Sequence, residues 1–301
     1  MGQGWELGKE SPPEVMRFKA KITRDQGQML HQVTSSLERI AKGAVLHLSR
    51  DAIKVSMVVN SPDVLRGFAE LDAKVIFHEL RIESQSDNAI LLRIDNLHLL
   101  TYALASVKRA TGICQIKLVK RGDRPNLCIE AKTDGGIDEM GSESVTQNVP
   151  IKVLPVEEIK HYLPPEMPPP DVALLMPNKM KVLRSVIEKT SKFDKHMYIG
   201  AKQAGNMTLR VEDDLISVQT HISDLLPARL EEVDMPDIDN GARVKVDIRK
   251  LSVVLGLQHL PWDDAYLFMC DNTALYIQVS LSEEGASLDF YVPVVVMDEF
   301  M

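Results

Sequence analysis

Aromatic side chains make up only 5% of this 301-residue chain, and it has three cysteines. So few rings leave no strand able to stack a run of bases, which excludes the usual single-strand-binding platform. Cys114, Cys128 and Cys270 lie far apart in alternating apolar runs with no C-x-x-C pair. Buried thiols in a reducing compartment are expected, not zinc or redox chemistry. No apolar run approaches the roughly 18 to 20 residues that cross a bilayer, and Met1 to Val15 has no apolar signal core. A soluble protein inside the cell, with no membrane partner, is expected. G-x-x-x-x-G-K-[ST], G-x-G-x-x-G and G-x-S-x-G are all missing, so neither a nucleotide cradle nor a serine elbow is present. The eight histidines, His78, His161, His196 and His221 among them, show no H-E-x-x-H or H-x-x-x-H spacing, and no metal site is read from them. Asp263-Asp264 and Asp237-Ile238-Asp239 have the residue types of a Mg²⁺ nuclease, but lone acidic pairs in loops are usually solvated. The chain is therefore read as no enzyme, with no catalytic residue and no cofactor.

What remains is ordinary globular composition, 45% hydrophobic and 26% charged. The length suits two cores of about 130 to 150 residues each. A net charge of -8 argues against nucleic acid only if that charge is evenly spread.

Arg17 to Ile22 alternates Phe18, Ala20 and Ile22 with basic residues, the pattern of a half-buried strand. After turn residues Asp25 to Gly27, Leu30, Val33, Leu37 and Ile40 recur at helical spacing, and Gly43 stops the run. Short strands are expected at 45–48, 52–59, 65–71 and 89–94, then a helix capped by Asn96 with Leu97, Leu100 and Leu104 inward. Strands follow at 113–120, 127–133 and 144–153. Residues 155–170 carry Leu163-Pro164-Pro165-Glu166-Met167-Pro168-Pro169-Pro170, which favours extended polyproline geometry and marks a linker. Beyond it come a strand at 172–176, a helix with Met180, Leu183 and Ile187 inward, and strands at 196–201, 207–212 and 215–222. The acidic stretch Ser223 to Asn240, with Glu231, Glu232, Asp234, Asp237 and Asp239, reads as a mobile solvated loop. A strand at 243–246, a helix capped by Asp247 and strands at 265–270, 274–281 and 287–296 complete the chain.

The halves match at an offset of about 150 residues: Leu30, Val33, Leu37 with Met180, Leu183, Ile187, and Asn96-Leu97 with Asp247-Ile248. Val149-Pro150-Ile151 also rhymes with Val292-Pro293-Val294. Amphipathic helices often share such spacing, but three matches in the same order favour a duplicated α+β unit. Charge is sorted between these helices and the rest. The four helical segments hold twelve basic residues against three acidic ones. Arg39 and Lys42, Lys108 and Arg109, Lys181, Arg184, Lys189 and Lys192, and Arg249 and Lys250 fall away from the apolar stripes. If the helices share one side of their sheets, these residues form a surface for a phosphate backbone that reads no bases. The alternative is that exposed lysines only keep the helices soluble.

The chain at this point resembles the sliding clamps, with the fold of PCNA, and is more narrowly similar to the Hus-one type subunit of the heterotrimeric DNA-damage checkpoint clamp called nine-one-one. The stretches that carry the resemblance are Met16-Arg17-Phe18-Lys19-Ala20-Lys21-Ile22, Val149-Pro150-Ile151-Lys152-Val153-Leu154-Pro155, Asp171-Val172, Leu183-Arg184-Ser185-Val186-Ile187-Glu188-Lys189, Val218-Gln219-Thr220-His221 and Val246-Asp247-Ile248-Arg249-Lys250-Leu251. It implies α+β architecture of two tandem clamp domains, 16–154 and 171–301, joined by the linker 155–170 and preceded by a flexible extension at 1–15. It implies a non-catalytic subunit of a nuclear ring around double-stranded DNA, with two other clamp subunits, an ATP-dependent clamp loader, and repair and signalling proteins docking on the outer face near the linker. Subunits would join by edge strands, here Val149, Ile151 and Val153 against Leu215, Ser217, Gln219 and His221. A homotrimeric processivity clamp and a protein-binding scaffold without DNA contact stay open. The loops 133–143 and 223–240 depart from the family pattern.

Overall fold

Period-two burial runs through the strands with one covered face, as in Ala274–Leu281 and His196–Lys202, while Ala44–Leu48 and Ile90–Ile94 are buried at consecutive positions. The computed structural model describes residues 16–59, 61, 63–134, 142–176, 180–213, 215–228, 236–256, 264–281 and 285–296, with backbone alone for 133–134, 142–143 and 180–182. The expected extension 1–15 and most of the loop 133–143 lie outside the described residues.

The first half runs β1 (Arg17–Ile22), α1 (Arg24–Glu38), β2 (Ala44–Leu48), β3 (Ala52–Met57), β4 (Arg66–Asp72), α2 (Ala73–Ile76), β5 (Glu79–Glu83), β6 (Ile90–Ile94), α3 (Leu97–Val107), β7 (Cys114–Arg121), β8 (Arg124–Asp134), β9 (Ser142–Pro150) and β10 (Lys152–Leu154). After a 3-10 turn at Val156–His161 the second half runs β11 (Val172–Leu175), α4 (Met180–Thr190), β12 (His196–Lys202), β13 (Asn206–Glu212), β14 (Ser217–Ile222), β15 (Leu226–Pro227), β16 (Gly241–Asp247), α5 (Ile248–Leu255), β17 (Asp264–Cys270), β18 (Ala274–Leu281) and β19 (Ala286–Val292).

All the pairings are antiparallel and make three sheets: β5-β1-β7-β8-β9, β14-β13-β12-β16, and a ten-stranded sheet β10-β6-β2-β3-β4-β19-β18-β17-β11-β15. The long sheet is continuous because β4 of the first half pairs with β19 of the second, Phe68 opposite Asp289 and Leu71 opposite Ala286. The duplication is visible in the strand orders. β5-β1-β7-β8-β9 answers to β15-β11-β17-β18-β19, and β6-β2-β3-β4 answers to β16-β12-β13-β14. By this correspondence the joined pair β4 and β19 has its counterparts in β14 and β9, which are the end strands of their sheets.

Several local expectations are corrected. Asp25 to Gly27 is helix, not turn, because Thr23 caps α1 in a box with Gln26: Thr23 N donates to Gln26 Oε1 at 2.9 Å and Gln26 N to Thr23 Oγ1 at 3.4 Å. Gly27 is needed for packing, since a Cβ there would lie 2.2 Å from Val107 Cγ1 of α3. Asn96 makes no side-chain cap; Leu97 N instead donates to Lys42 O at 2.7 Å. Asp247 does cap α5, accepting from Arg249 N at 2.9 Å. The strand expected at 144–153 breaks at Ile151, where the chain leaves β9 and enters the ten-stranded sheet as β10, Val153 opposite Leu92. α2 and β5 were not expected. Their single turn and single buried residue, Ile82 in β5, give weak periodicity. The linker is not extended throughout, since Val156–His161 forms the 3-10 turn. The start of the acidic loop is held, not mobile: Leu226 and Pro227 pair with β11, and Leu225 and Ala228 are buried. Glu231, Glu232 and Asp234 lie outside the described residues.

Candidate DNA-facing surface and edge strands

Amphipathic spacing places the four long helices in two pairs. α1 and α3 run antiparallel, with Gly27 against Val107 at one end and Glu38 Oε1 2.7 Å from His98 Nδ1 at the other. α4 packs on α5. The pairs meet on one side of the ten-stranded sheet, where Arg39 Nη1 donates to Gly256 O at 3.3 Å and Lys250 Nζ donates to Asp63 O. Leu37 and Phe290 share that side, both within contact of the position a Gly67 Cβ would take. The condition set by the sequence, helices of both halves on a common side, is met.

The basic residues sit differently from expectation. α1 ends at Glu38 and α3 at Val107, so Arg39 and Lys108 are C-caps and Lys42 and Arg109 lie beyond the helices. Lys192 follows the end of α4, while Arg184 and Lys189 are within it and Arg249 and Lys250 are in the first turn of α5. α3 in particular exposes Leu99 and Tyr102 along its length, with no lysine or arginine. Arg39, Lys42, Lys108, Arg109, Lys189 and Lys192 thus gather at the C-termini of α1, α3 and α4, where they also offset the negative end of the macrodipole, whereas Arg249 and Lys250 stand at the N-terminus of α5. Arg39, Lys42, Arg109, Lys189, Lys192 and Arg249 are exposed, and Lys108, Arg184 and Lys250 partly so. Arg184 spends its charge locally on Glu188, Nε to Oε1 at 2.5 Å. The side chain of Lys181 lies outside the described residues.

β9 and β14 each end a sheet, and so leave one row of backbone donors and acceptors unpaired among the described residues. Of the first strand's expected contact residues, Val149 and Ile151 are buried at 1% and 6% exposure. Any contact they make along the edge is through backbone, because their side chains fill the core. Val153 belongs to β10. On the second edge Ser217, Gln219 and His221 are exposed, and Leu215 beside them is 91% exposed.

The opposite face of the ten-stranded sheet carries a feature that the sequence pattern alone did not single out. Tyr266, Phe268, Tyr276, Tyr291 and Phe68 form a row across β17, β18, β19 and β4. The rings of Phe268 and Tyr276 stack at 4.4 Å, and Phe68 meets Tyr291 edge-on at 5.5 Å. Period-two alternation in these strands was the available signal. The linker lies against this face, Ser56 Oγ donating to Tyr162 O at 2.5 Å and Cys270 Sγ reaching Pro168 O at 3.7 Å. Between linker and sheet is a hollow lined by His47, Lys54, Phe68, Leu163, Pro164 and Asp289. Burial pushes the Asp289 carboxyl up to about 6, the Gln278 hydrogen bond opposing and Glu70 adding to the rise. Burial lowers His47, and Lys54 lowers it further.

Cys114, Cys128 and Cys270 are free and buried, each raised in pKa by that burial. Among the described residues no three His, Cys, Asp or Glu side chains stand close enough to hold a metal ion, and no helix is long and apolar enough to cross a membrane. Asp263 lies outside the described residues.

The model of the Hus1-like protein family matches residues 16–296. Checkpoint protein HUS1 of Homo sapiens is 28% identical over 288 residues, covering 92% of this chain and 99% of the human protein. The checkpoint protein hus1 homolog of Dictyostelium discoideum is 27% identical over 286 residues, covering 93% and 99%. Among solved structures, the crystal structure of Proliferating Cellular Nuclear Antigen from Entamoeba histolytica superposes with a TM-score of 0.64 at 17% identity, over 92% of this chain and 98% of that one. The fold is PCNA-like.

Proposed function

We propose that this chain, which belongs to the Hus1-like protein family, is a non-catalytic subunit of a heterotrimeric ring that encircles double-stranded DNA and presents a platform for checkpoint and repair factors. Its two clamp domains are residues 16–154 and 171–301, with 155–170 between them. One observation carries the reading: the free end strands β9 and β14 are the counterparts of the joined strands β19 and β4. The junction inside the chain is thus a template for a junction between chains, in which β14 of one subunit pairs with β9 of the next. Carried across that junction, the contact between the ends of α1 and α5 becomes one between the ends of α4 and α3. Lys189 and Lys192 then stand at the seam with one neighbour and Lys108 and Arg109 at the seam with the other, and with Arg39 and Lys42 at the junction inside the chain they put positive charge at each seam this subunit makes. An outside ATPase opens the ring, the linker face receives peptides, and the complex works in the nucleus.

Mass measurement of the chain alone and with two other clamp subunits tests the assembly. A ring-sized trimer of the chain alone overturns the heterotrimer. Changing Lys42, Lys189 and Lys192 to Glu in the assembled ring is expected to shorten retention on nicked circular DNA. The salt slope should also fall by about one unit for every phosphate no longer neutralised. Retention and slope like those of the wild type would sink the DNA-facing assignment and favour a scaffold without DNA contact.

A further inference from the structure

The four-stranded sheet β14-β13-β12-β16 turns Met197, Ile199 and Val244 into the core and Tyr198, Gly200, Thr208, Arg210, Arg243 and Lys245 outward. Arg243 Cζ lies 4.8 Å and Lys245 Nζ 5.1 Å from the centre of the Tyr198 ring. Among the described residues neither cation, nor Lys202 beside them, has a carboxylate partner, whereas Arg210 is bound to Glu212 at 2.7 Å. Next to Tyr198 is a hollow of about 390 Å³ floored by Gly200, Ala201 and Ala242, with Thr208, Arg243 and Asp271 on its walls. The Asp271 carboxylate is engaged elsewhere, accepting from Arg243 N at 2.7 Å and Asn272 Nδ2 at 3.1 Å. Arg243 and Lys245 put two positive charges beside one ring, and Arg243 also lines the hollow, so this spot attracts a negative ligand.

The duplication supplies its shape. Ala44 opposite Ile94 answers to Met197 opposite Val246. In that register Val45, His47 and Ser56 answer to Tyr198, Gly200 and Arg210, and Leu91 to Arg243. The first set is where the chain lays its own segment Tyr162–Pro164, which bends at Tyr162 and Leu163 as it leaves the 3-10 turn. No described segment lies in the second hollow. Gly200 leaves it open, since a Cβ there would meet nothing within 4 Å.

We propose that the outward face around Gly200 docks a peptide segment carrying phosphorylated serine or threonine. The counterpart face holds a segment of the chain, and the guanidinium fork of Arg243 with the Lys245 ammonium across the same ring suits a dianion with three acceptor oxygens, while the Thr208 hydroxyl on the wall already pairs with His221 Nδ1 at 3.2 Å. Nucleic acid fits less well: one aromatic ring, already overlain by cations, offers no stacking row, and Glu212, Asp247 and Asp271 confine the positive charge to one spot. The site lies across the sheet from the helices, so it stands whether or not those helices line DNA.

The test uses fluorescence anisotropy with the full chain and a short labelled peptide of alternating proline and phosphoserine, beside its unphosphorylated form and an oligothymidine of equal charge. The phosphopeptide is expected to bind, and Arg243→Glu with Lys245→Glu to weaken it by about a hundredfold. Gly200→Glu, which adds a carboxylate to the floor without touching the core, should also abolish binding, and Lys120→Glu at the exposed end of β7 should leave it unchanged. Unchanged melting temperatures keep the losses local. Equal binding of the unphosphorylated peptide, indifference to the Arg243, Lys245 and Gly200 changes, or tighter binding of oligothymidine at the same residues each overturns the proposal.

Discussion

Two faces built on the same strand order, β6-β2-β3-β4 and β16-β12-β13-β14, differ in almost every outward side chain. In the first, cations are matched: Lys54 Nζ lies 3.0 Å from Glu70, and Arg93 and Lys152 share Asp95 at 2.8 and 2.6 Å. The linker covers this face, Phe68 is 8% exposed, and Asp289 is held in a site that disfavours its charge. In the second, Gln219 stands where Phe68 would be, and among the described residues the side chains of Arg243 and Lys245 make no ion pair. The difference teaches that duplication kept the backbone pairing and the inward apolar set, because those make the core, while the outward set was free to specialise. One face closed over its own chain; the other stayed open and charged.

The largest effect that would break this contrast is at the paired positions Phe68 and Gln219. Phe68→Ala is expected to cost about 3 kcal/mol in denaturant unfolding, because it leaves a cavity beneath the linker. Gln219→Ala should stay within about 0.5 kcal/mol. Similar losses would mean that the second face is covered too. Next in size is Asp289. With its native pKa raised from 3.8 to about 6, the protonated carboxyl is favoured in the folded state. Stability is then fullest below the unfolded pKa and falls as pH rises through about 6. Asp289→Asn should therefore gain up to about 3 kcal/mol at neutral pH and nothing in acid. Equal gains at both pH values would show that the carboxyl is not held in a closed site. Smaller still, Ser56→Ala removes the bond to Tyr162 O and should cost about 1 kcal/mol. If the linker opens locally, cleavage within 155–170 under limited proteolysis should rise about fivefold, and an unchanged rate would show that the strap is held by other contacts.

Much of the fold was legible because burial repeats locally. Alternation marked most strands to within a few residues, the 30, 33, 37 spacing marked α1, and Asp247 marked the start of α5. What failed was set by contacts distant in sequence. Gly27 looks like a turn residue until Val107 arrives beside it, and Leu226–Pro227 becomes a strand only because β11 offers an edge. The split at Ile151 depends on a second sheet waiting at β6. Among the site residues, the chain order put basic groups on or near helices, but helix ends decided that Arg39, Lys42, Lys108, Arg109 and Lys192 cluster at C-termini instead of lining faces. Arg243 and Lys245 were visible as alternating charge in a strand, yet nothing in the chain order brings them over Tyr198.

By itself the sequence determined the duplicated α+β plan, the sorting of charge and the resemblance that named the family, since periodicity, composition and short motifs are properties of neighbouring residues. Only the tertiary structure decided that β4 and β19 join while β9 and β14 stay free, and that the linker lies on one of two matching faces. Strand partners are chosen by pairing across more than 200 residues of chain, as Leu71 with Ala286, and no local pattern encodes which edge is left over.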